Sequence, residues 1–197
     1  MKELIVASRN KGKIAEIKEL LNDLPYKVTS LLDYPNLPDV VEDGKTYKAN
    51  ALKKAMEIAK LTAKMTMSDD SGIEVKALGN APGIYSARFA GKGASEADKN
   101  QKLFTMLKGI PMSKRQARYR CVMALVDGKG KTVGIVDGTC SGYITTEERG
   151  RNGFGFDPLF LLKRYNKTFG ELPPGVKKKI SHRARALKKF KILIGQC

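Results

Sequence analysis

The sequence predicts an α/β protein in which a mixed sheet is flanked by helices. Three observations carry this expectation. A strand-turn-helix unit opens the chain, a hairpin signal at Gly128-Lys129-Gly130 lies in its middle, and the predicted strands outnumber the helices. A length of 197 residues fits a single domain over 1–197, or one domain built as two lobes around a cleft.

Glu3 to Ala7 is a short apolar run ending at polar Ser8-Arg9-Asn10, after which Ile14, Ile17, Leu20 and Leu21 recur at helical spacing. Pro25, Pro35, Pro38 and Gly44 then predict an irregular stretch with one short strand, Tyr26 to Leu31. From Thr46 to Ala63 the residues Tyr47, Ala51, Ala55, Ile58 and Ala59 form one apolar stripe, with Lys48, Lys53, Glu57 and Lys60 elsewhere. Met65 to Ser68 reads as a short strand leading into Asp69-Asp70-Ser71-Gly72, and Ile73 to Leu78 as a resumed strand before the Pro82-Gly83 turn. A short helix is expected near Pro82 to Phe89. Ser95-Glu96-Ala97-Asp98 resembles a capping box and opens a helix that Gly109 and Pro111 stop. Gln116 to Asp127 and Lys131 to Gly138 flank the hairpin turn, a further strand covers Thr139 to Ile144, and Leu159 to Leu162 is another apolar run. In the final segment, Ser181 to Ile194, the residues Ala186, Phe190, Leu193 and Ile194 share a helical face opposite a basic one.

With 37 Lys+Arg against 20 Asp+Glu, the formal net charge is +17. A hydrophobic fraction of 42% argues for a buried core and against disorder. Residues 161–197 hold eleven basic residues against Glu171 alone, a net 11 − 1 = +10. Such a balance suits either a nucleic-acid binder or an enzyme acting on a polyphosphate. Zinc-finger spacing, an RNP-like aromatic strand and basic-region heptads are all lacking, so no specific nucleic-acid partner is expected. No apolar run approaches the roughly 18 residues needed to cross a bilayer, and Leu4 to Ala7 is too short for a signal peptide. A cytoplasmic protein with no membrane partner is therefore expected. Cys121, Cys140 and Cys197 are scattered and meet a single histidine, which excludes a zinc finger or ribbon on ligand count.

Ser8-Arg9-Asn10-Lys11-Gly12-Lys13 sits where a strand gives way to a helix, a place whose unbonded N–H groups favour phosphate. It is not a Walker loop, because Ala7 and Ile14 replace the required Gly and Ser/Thr. The plainer reading is a solvated turn. Asp69-Asp70 could hold Mg²⁺ together with Glu42 or Asp43, or could serve as an Asx-turn or helix cap. In Gly150-Arg151-Asn152-Gly153-Phe154-Gly155-Phe156-Asp157-Pro158, glycines allow close backbone approach and the two rings offer stacking faces for a base, or plug the core. His182-Arg183, at the start of the last helix, reads as a capping or surface pair.

Together and in order, SRNKGK at 8–13, EDGKTYKANA at 42–51, DDSG at 69–72, PGIYSARF at 82–89, GFGFDP at 153–158 and KKKISHR at 177–183 resemble the inosine triphosphate pyrophosphatase family. The resemblance spans almost the whole chain. It implies an elongated, two-lobed α/β protein with a curved mixed sheet flanked by helices around a deep cleft, assembled as a homodimer. It also implies Mg²⁺-assisted hydrolysis of dITP, ITP and XTP to the monophosphate and pyrophosphate. Ser8, Arg9, Asn10, Lys11, Gly12 and Lys13 would bind the substrate phosphates and Ser71 would contact substrate. Glu42 and Asp70 would hold the metal, with Asp70 the proton acceptor. Phe154, Gly155, Phe156 and Asp157 would form the nucleoside pocket, closed by Lys177, His182 and Arg183. The sequence departs from the commonest pattern at Ser8-Arg9, where Thr-Gly is frequent, and at Phe156, where Tyr is common.

Overall fold

A computed structural model of the chain describes residues 2–196; Cys197, counted in the cysteine argument, lies outside them. Seven strands hydrogen-bond in the order β2-β1-β3-β4-β5-β6-β7. They are β1 (Lys2–Val6), β2 (Tyr26–Ser30), β3 (Met65–Val75), β4 (Gln116–Val126), β5 (Thr132–Ile144), β6 (Phe160–Leu162) and β7 (Lys167–Thr168). The helices are α1 (Lys11–Leu20), α2 (Tyr47–Thr62), α3 (Glu96–Met106), α4 (Pro174–Ile180) and α5 (His182–Ile194). Strand β1 runs parallel to β2 and β3, whereas β6 is antiparallel to both β5 and β7. The expected mixed sheet is thus present.

The chain divides into two compact units. The first comprises the residues up to Asp70, Cys121–Gly138 and those from Arg183 onward. Alternate residues of a strand face opposite sides, and β1 uses both. Leu4 and Val6 join Ile17 and Leu21 with Leu187, Phe190 and Ile194 of α5 in one core, while Ile5 and Ala7 pack with Leu31 and with Ile58 of α2. Helix α1 starts at an Asn10 N-cap and α2 at a Thr46 N-cap, whose side chains accept from the Lys13 and Ala49 amides.

The second unit comprises Ser71–Arg120 and Thr139–His182. Its core gathers Ile73, Val75, Leu103, Tyr119, Phe160 and Phe169. The Ser95–Asp98 capping box forms with both of its hydrogen bonds.

Four details differ from the sequence expectation. The Asp69-Asp70-Ser71-Gly72 run is neither a turn nor a cap: Met65–Val75 is one unbroken strand, buried along nearly its whole length. Thr132–Ile144 is likewise a single strand through Gly138. The segment near Pro82 to Phe89 is a 3-10 helix, Gly83–Arg88. Helix α4 is an element that the sequence reading does not assign; Pro174 occupies its first turn, where the missing N–H costs nothing.

Candidate active site

Within the first unit, charged side chains from four segments gather on the last residues of its part of β3. The start of α1 supplies Lys13, whose Nζ lies 3.3 Å from Asp69 Oδ1. Asn10 Oδ1 accepts from the Lys13 amide at 2.9 Å, and Ser8 Oγ from the Asn10 amide at 3.2 Å. Lys11 and Gly12, in the first turn, have no carbonyl one turn earlier to bond and are placed to donate to an anion. Arg9 turns away from this turn and bonds to Leu31, Leu37 and Asp39.

Asp69 is fully enclosed. Arg183, also buried, donates from Nη2 to Asp69 Oδ2 at 3.2 Å and pairs through Nη1 with Glu16. The Cys121 thiol donates to Asp69 Oδ2 at 3.8 Å. Burial alone would push the Asp69 carboxyl up, but Lys13, Arg183 and Lys54 outweigh it and hold the carboxyl well below the usual range. Asp69 is therefore a fixed anion.

Asp70, the next residue in an extended strand, leaves on the other face and meets Asn50, whose Nδ2 donates to Asp70 Oδ2 at 3.0 Å. Asn50 Oδ1 in turn accepts from the Gly44 amide at 2.8 Å. A side chain at Gly44 would place its Cβ 2.6 Å from that Oδ1 and 2.9 Å from the Ala49 Cβ, so it would displace Asn50. The buried Lys54 ammonium donates to Glu42 and, at 2.7 Å, to the Asp69 carbonyl. Burial pushes the Asp70 carboxyl up to about 6; Lys54 and the Asn50 hydrogen bond pull it down, and Glu42 adds to the push. Burial acts against the charge on Lys54, but Glu42, Asp69 and Asp70 hold its amine firmly protonated.

Asn50 and Lys54 are the residues that sequence reasoning misses. The signal was present. Both sit on the buried face of α2, among Tyr47, Ala51, Ala55 and Ile58, where a polar residue needs a partner.

Within the second unit, the 150–158 loop is clasped from inside. Asp157 Oδ2 accepts from the Phe154 amide at 2.9 Å and pairs with Lys177 Nζ at 2.5 Å. Lys177, on α4, stands 4.7 Å over the Phe154 ring. Gly153 and Gly155 adopt positive φ. The two rings part company here: Phe156 is buried in the core, edge-on to Phe89 at 6.3 Å, whereas Phe154 is only half-buried. His182 is buried, with its ring stacked on Tyr119 at 4.5 Å and an interplanar angle of 7°. Ser71 is half-buried in β3. Lys13, Asp70, Glu42 and Arg183 thus belong to the first unit, and Ser71, Phe154, Asp157, Lys177 and His182 to the second.

Among the described residues, no three His, Cys, Asp or Glu side chains gather as a metal-binding group. A hard cation such as Mg²⁺ does not require three. One or two carboxylates suffice, with water and substrate phosphate completing the shell, and the mutually repelling Glu42 and Asp70 are oxygen donors of that kind.

Residues 4–193 match the Ham1 family. The chain belongs to the Ham1 family. Among its relatives, the dITP/XTP pyrophosphatase of Desulforamulus reducens is 46% identical over 187 residues, covering 95% of this chain and 92% of that one. The dITP/XTP pyrophosphatase of Bacillus licheniformis is 46% identical over 196 residues, covering 100% of both. A solved Ham1 structure, the HAM1 protein of Coxiella burnetii, superposes with a TM-score of 0.90 at 39% identity over 100% of each chain. Ham1 membership accounts for the ordered motifs, and the mixed α/β sheet agrees with that of the solved relative.

Proposed function

We propose that the protein is a Mg²⁺-dependent pyrophosphohydrolase that converts dITP, ITP and XTP to the monophosphate and pyrophosphate, with Asp70 accepting the proton of the attacking water. The observation that carries this reading is the contrast between two adjacent buried acids: Asp69 is locked as an anion, while Asp70 sits at about 6. Adjacent acids with separated environments mark a division of labour, one a fixed anion and the other a carboxylate available to accept a proton. The names of the relatives supply the substrate class.

In this reading the turn from Ser8 to Lys13 receives the phosphates, through the N–H groups at the start of α1 and the Lys11 and Lys13 ammoniums. Glu42 and Asp70 hold Mg²⁺, which when bound supplies Lewis-acid stabilisation of the phosphate oxygens. Lys54 offsets the anionic charge of Glu42 and Asp70 and keeps Asp70 from rising further. Asn50 holds one Asp70 oxygen and leaves the other for water. Phe154 offers the base a half-buried ring, and Asp157 and Lys177 hold that ring in place. A 6-oxo purine presents an acceptor where adenine presents a donor, so donors from His182 and the loop amides favour hypoxanthine and xanthine. One unpaired buried polar group costs roughly 1–3 kcal/mol, about 5- to 150-fold per contact.

A homodimer in the cytoplasm completes the proposal. Among the described residues no helix is long and apolar enough to cross a membrane; the dimer rests on the resemblance and is read out by sedimentation equilibrium. The test of function is a substrate panel in Mg²⁺ that measures pyrophosphate from ITP, dITP, XTP and the four standard dNTPs. Turnover of the first three over dATP by about 100-fold is expected. Equal rates on dATP and dITP, or no release from any, would contradict the proposal.

A further inference from the structure

Arg9 stands in the phosphate-binding turn by sequence, yet its side chain serves another stretch of chain. Nη1 donates to the Leu31 carbonyl at 2.7 Å, Nη2 to the Leu37 carbonyl at 2.6 Å and Nε to Asp39 Oδ1 at 2.8 Å. All three acceptors lie in the segment between β2 and α2, which forms neither helix nor strand and runs directly into Glu42.

That segment has little backbone support of its own. Pro35 and Pro38 have no N–H to donate. Its turn hydrogen bonds run from Asp33 N–H to Ser30 O at 3.0 Å, from Tyr34 N–H to Leu31 O at 3.3 Å and from Leu37 N–H to Tyr34 O at 3.2 Å, the last two long. Tyr34, Leu37 and Val40 pack only partly buried against the Ile5, Ala7, Leu31 and Ile58 core. Its far end is fastened through Asp43 to Lys53 at 2.7 Å, Glu42 to Lys54 and the Gly44 amide to Asn50. The Tyr34 hydroxyl, which donates to Glu3 and accepts from Lys64 Nζ at 2.9 Å, ties the segment at residue 34, and Arg9 ties it at Leu31, Leu37 and Asp39. A guanidinium suits the task because its planar fork spans two carbonyls at once, and a charged donor makes the stronger bond.

We propose that Arg9 is a positioning residue that clamps residues 31–39 and thereby fixes the approach of Glu42 to Asp70 and Lys54. The inference rests on the reading of Glu42 as part of the active site. The two carbonyl bonds carry the clamp, since Asp39 is 81% exposed and a screened surface pair contributes little. The consequence for the family pattern is specific: the arginine at position 9 is not a phosphate ligand but a tie between the turn that receives phosphate and the segment that carries a metal ligand.

The experiment combines amide hydrogen exchange of the full, substrate-free chain with steady-state kinetics on ITP for Arg9→Met, Arg9→Lys, Asp39→Asn and Glu42→Gln. Arg9→Met is expected to speed exchange at Tyr34 and Leu37 by about tenfold with α2 unchanged, and to lower kcat by about tenfold with KM within about twofold. Arg9→Lys keeps the charge but cannot span both carbonyls, so it should give most of both effects; it also decides the matter if Arg9→Met does not fold. Asp39→Asn should leave exchange and kcat within about twofold of wild type. Arg9→Met on top of Glu42→Gln should add no further loss of kcat. Unchanged exchange with a raised KM would make Arg9 a substrate ligand and overturn the proposal, as would full protection in Arg9→Lys. Full activity of Glu42→Gln would overturn the link to the site, while the exchange data still judge the clamp.

Discussion

In an extended strand consecutive side chains leave on opposite faces, and Asp69 and Asp70 meet different surroundings for that reason. Asp69 faces Lys13 and Arg183, and Asp70 faces Asn50. A carboxyl near 6 has a direct signature: carbon-13 NMR of the metal-free protein should show Asp70 titrating at about 6. Mg²⁺ favours the charged form, so adding it should move that midpoint down and leave Asp69 ionised. An Asp70 midpoint that ignores Mg²⁺ would remove it from the metal site. Lys54→Met deletes the cation between three carboxylates, and an uncompensated buried charge costs about 3–5 kcal/mol. Urea denaturation should register that loss, and the Asp70 midpoint should rise above its wild-type value. A midpoint that falls or stays put would show that Lys54 does not act on Asp70. Glu3 gives a second pH-dependent contact, accepting from Thr29, Tyr34 and Lys64. The Lys64 and Tyr34 hydrogen bonds hold its carboxyl at about 2, against an ordinary 4.5. Its contribution is therefore complete above pH 4.5 and is lost as pH falls through about 2. The stability gap between wild type and Glu3→Gln, about 1 kcal/mol at pH 6, should narrow at pH 3, measured by urea denaturation.

At the scale of elements, the 150–158 loop is set by chain geometry as much as by contacts. Gly153 has φ of +80°, and an added Cβ would sit 2.0 Å from Asp157 Oδ2. Gly153→Ala therefore has to break the bond that holds the Phe154 amide or distort the turn. A rise in KM for ITP of at least about tenfold is expected, with a smaller change in kcat; unchanged KM would remove the loop from base binding. The same elements show what was legible in the sequence. Period and punctuation revealed β1, α2 and the Ser95 capping box, because local rules decide them. The unbroken β3 was not legible, since Asp69-Asp70-Ser71-Gly72 carries turn residues and only its charged partners make burial tolerable. The partners of Arg9 lie 22 to 30 residues away, a distance at which local pattern says nothing. Asn50 and Lys54 were visible only as polar residues on an apolar helical face.

At the scale of the whole molecule, the candidate site residues named by the motifs fall in two units, each with its own core. The excess charge of +17 exceeds what phosphate contacts require. Long-range attraction of an anionic substrate by this charge predicts that kcat/KM for ITP falls as NaCl rises from about 0.05 to 0.5 M, while kcat changes little. Salt-independent kcat/KM would exclude steering. The proposed reaction turns on which bond is cut and on the part Asp70 plays in cutting it. Phosphorus-31 NMR of ITP turning over in Mg²⁺ reads this directly. Inosine monophosphate and pyrophosphate are expected in equal amounts, with neither formed by folded Asp70→Asn. Orthophosphate with inosine diphosphate, or full turnover by Asp70→Asn, would contradict it.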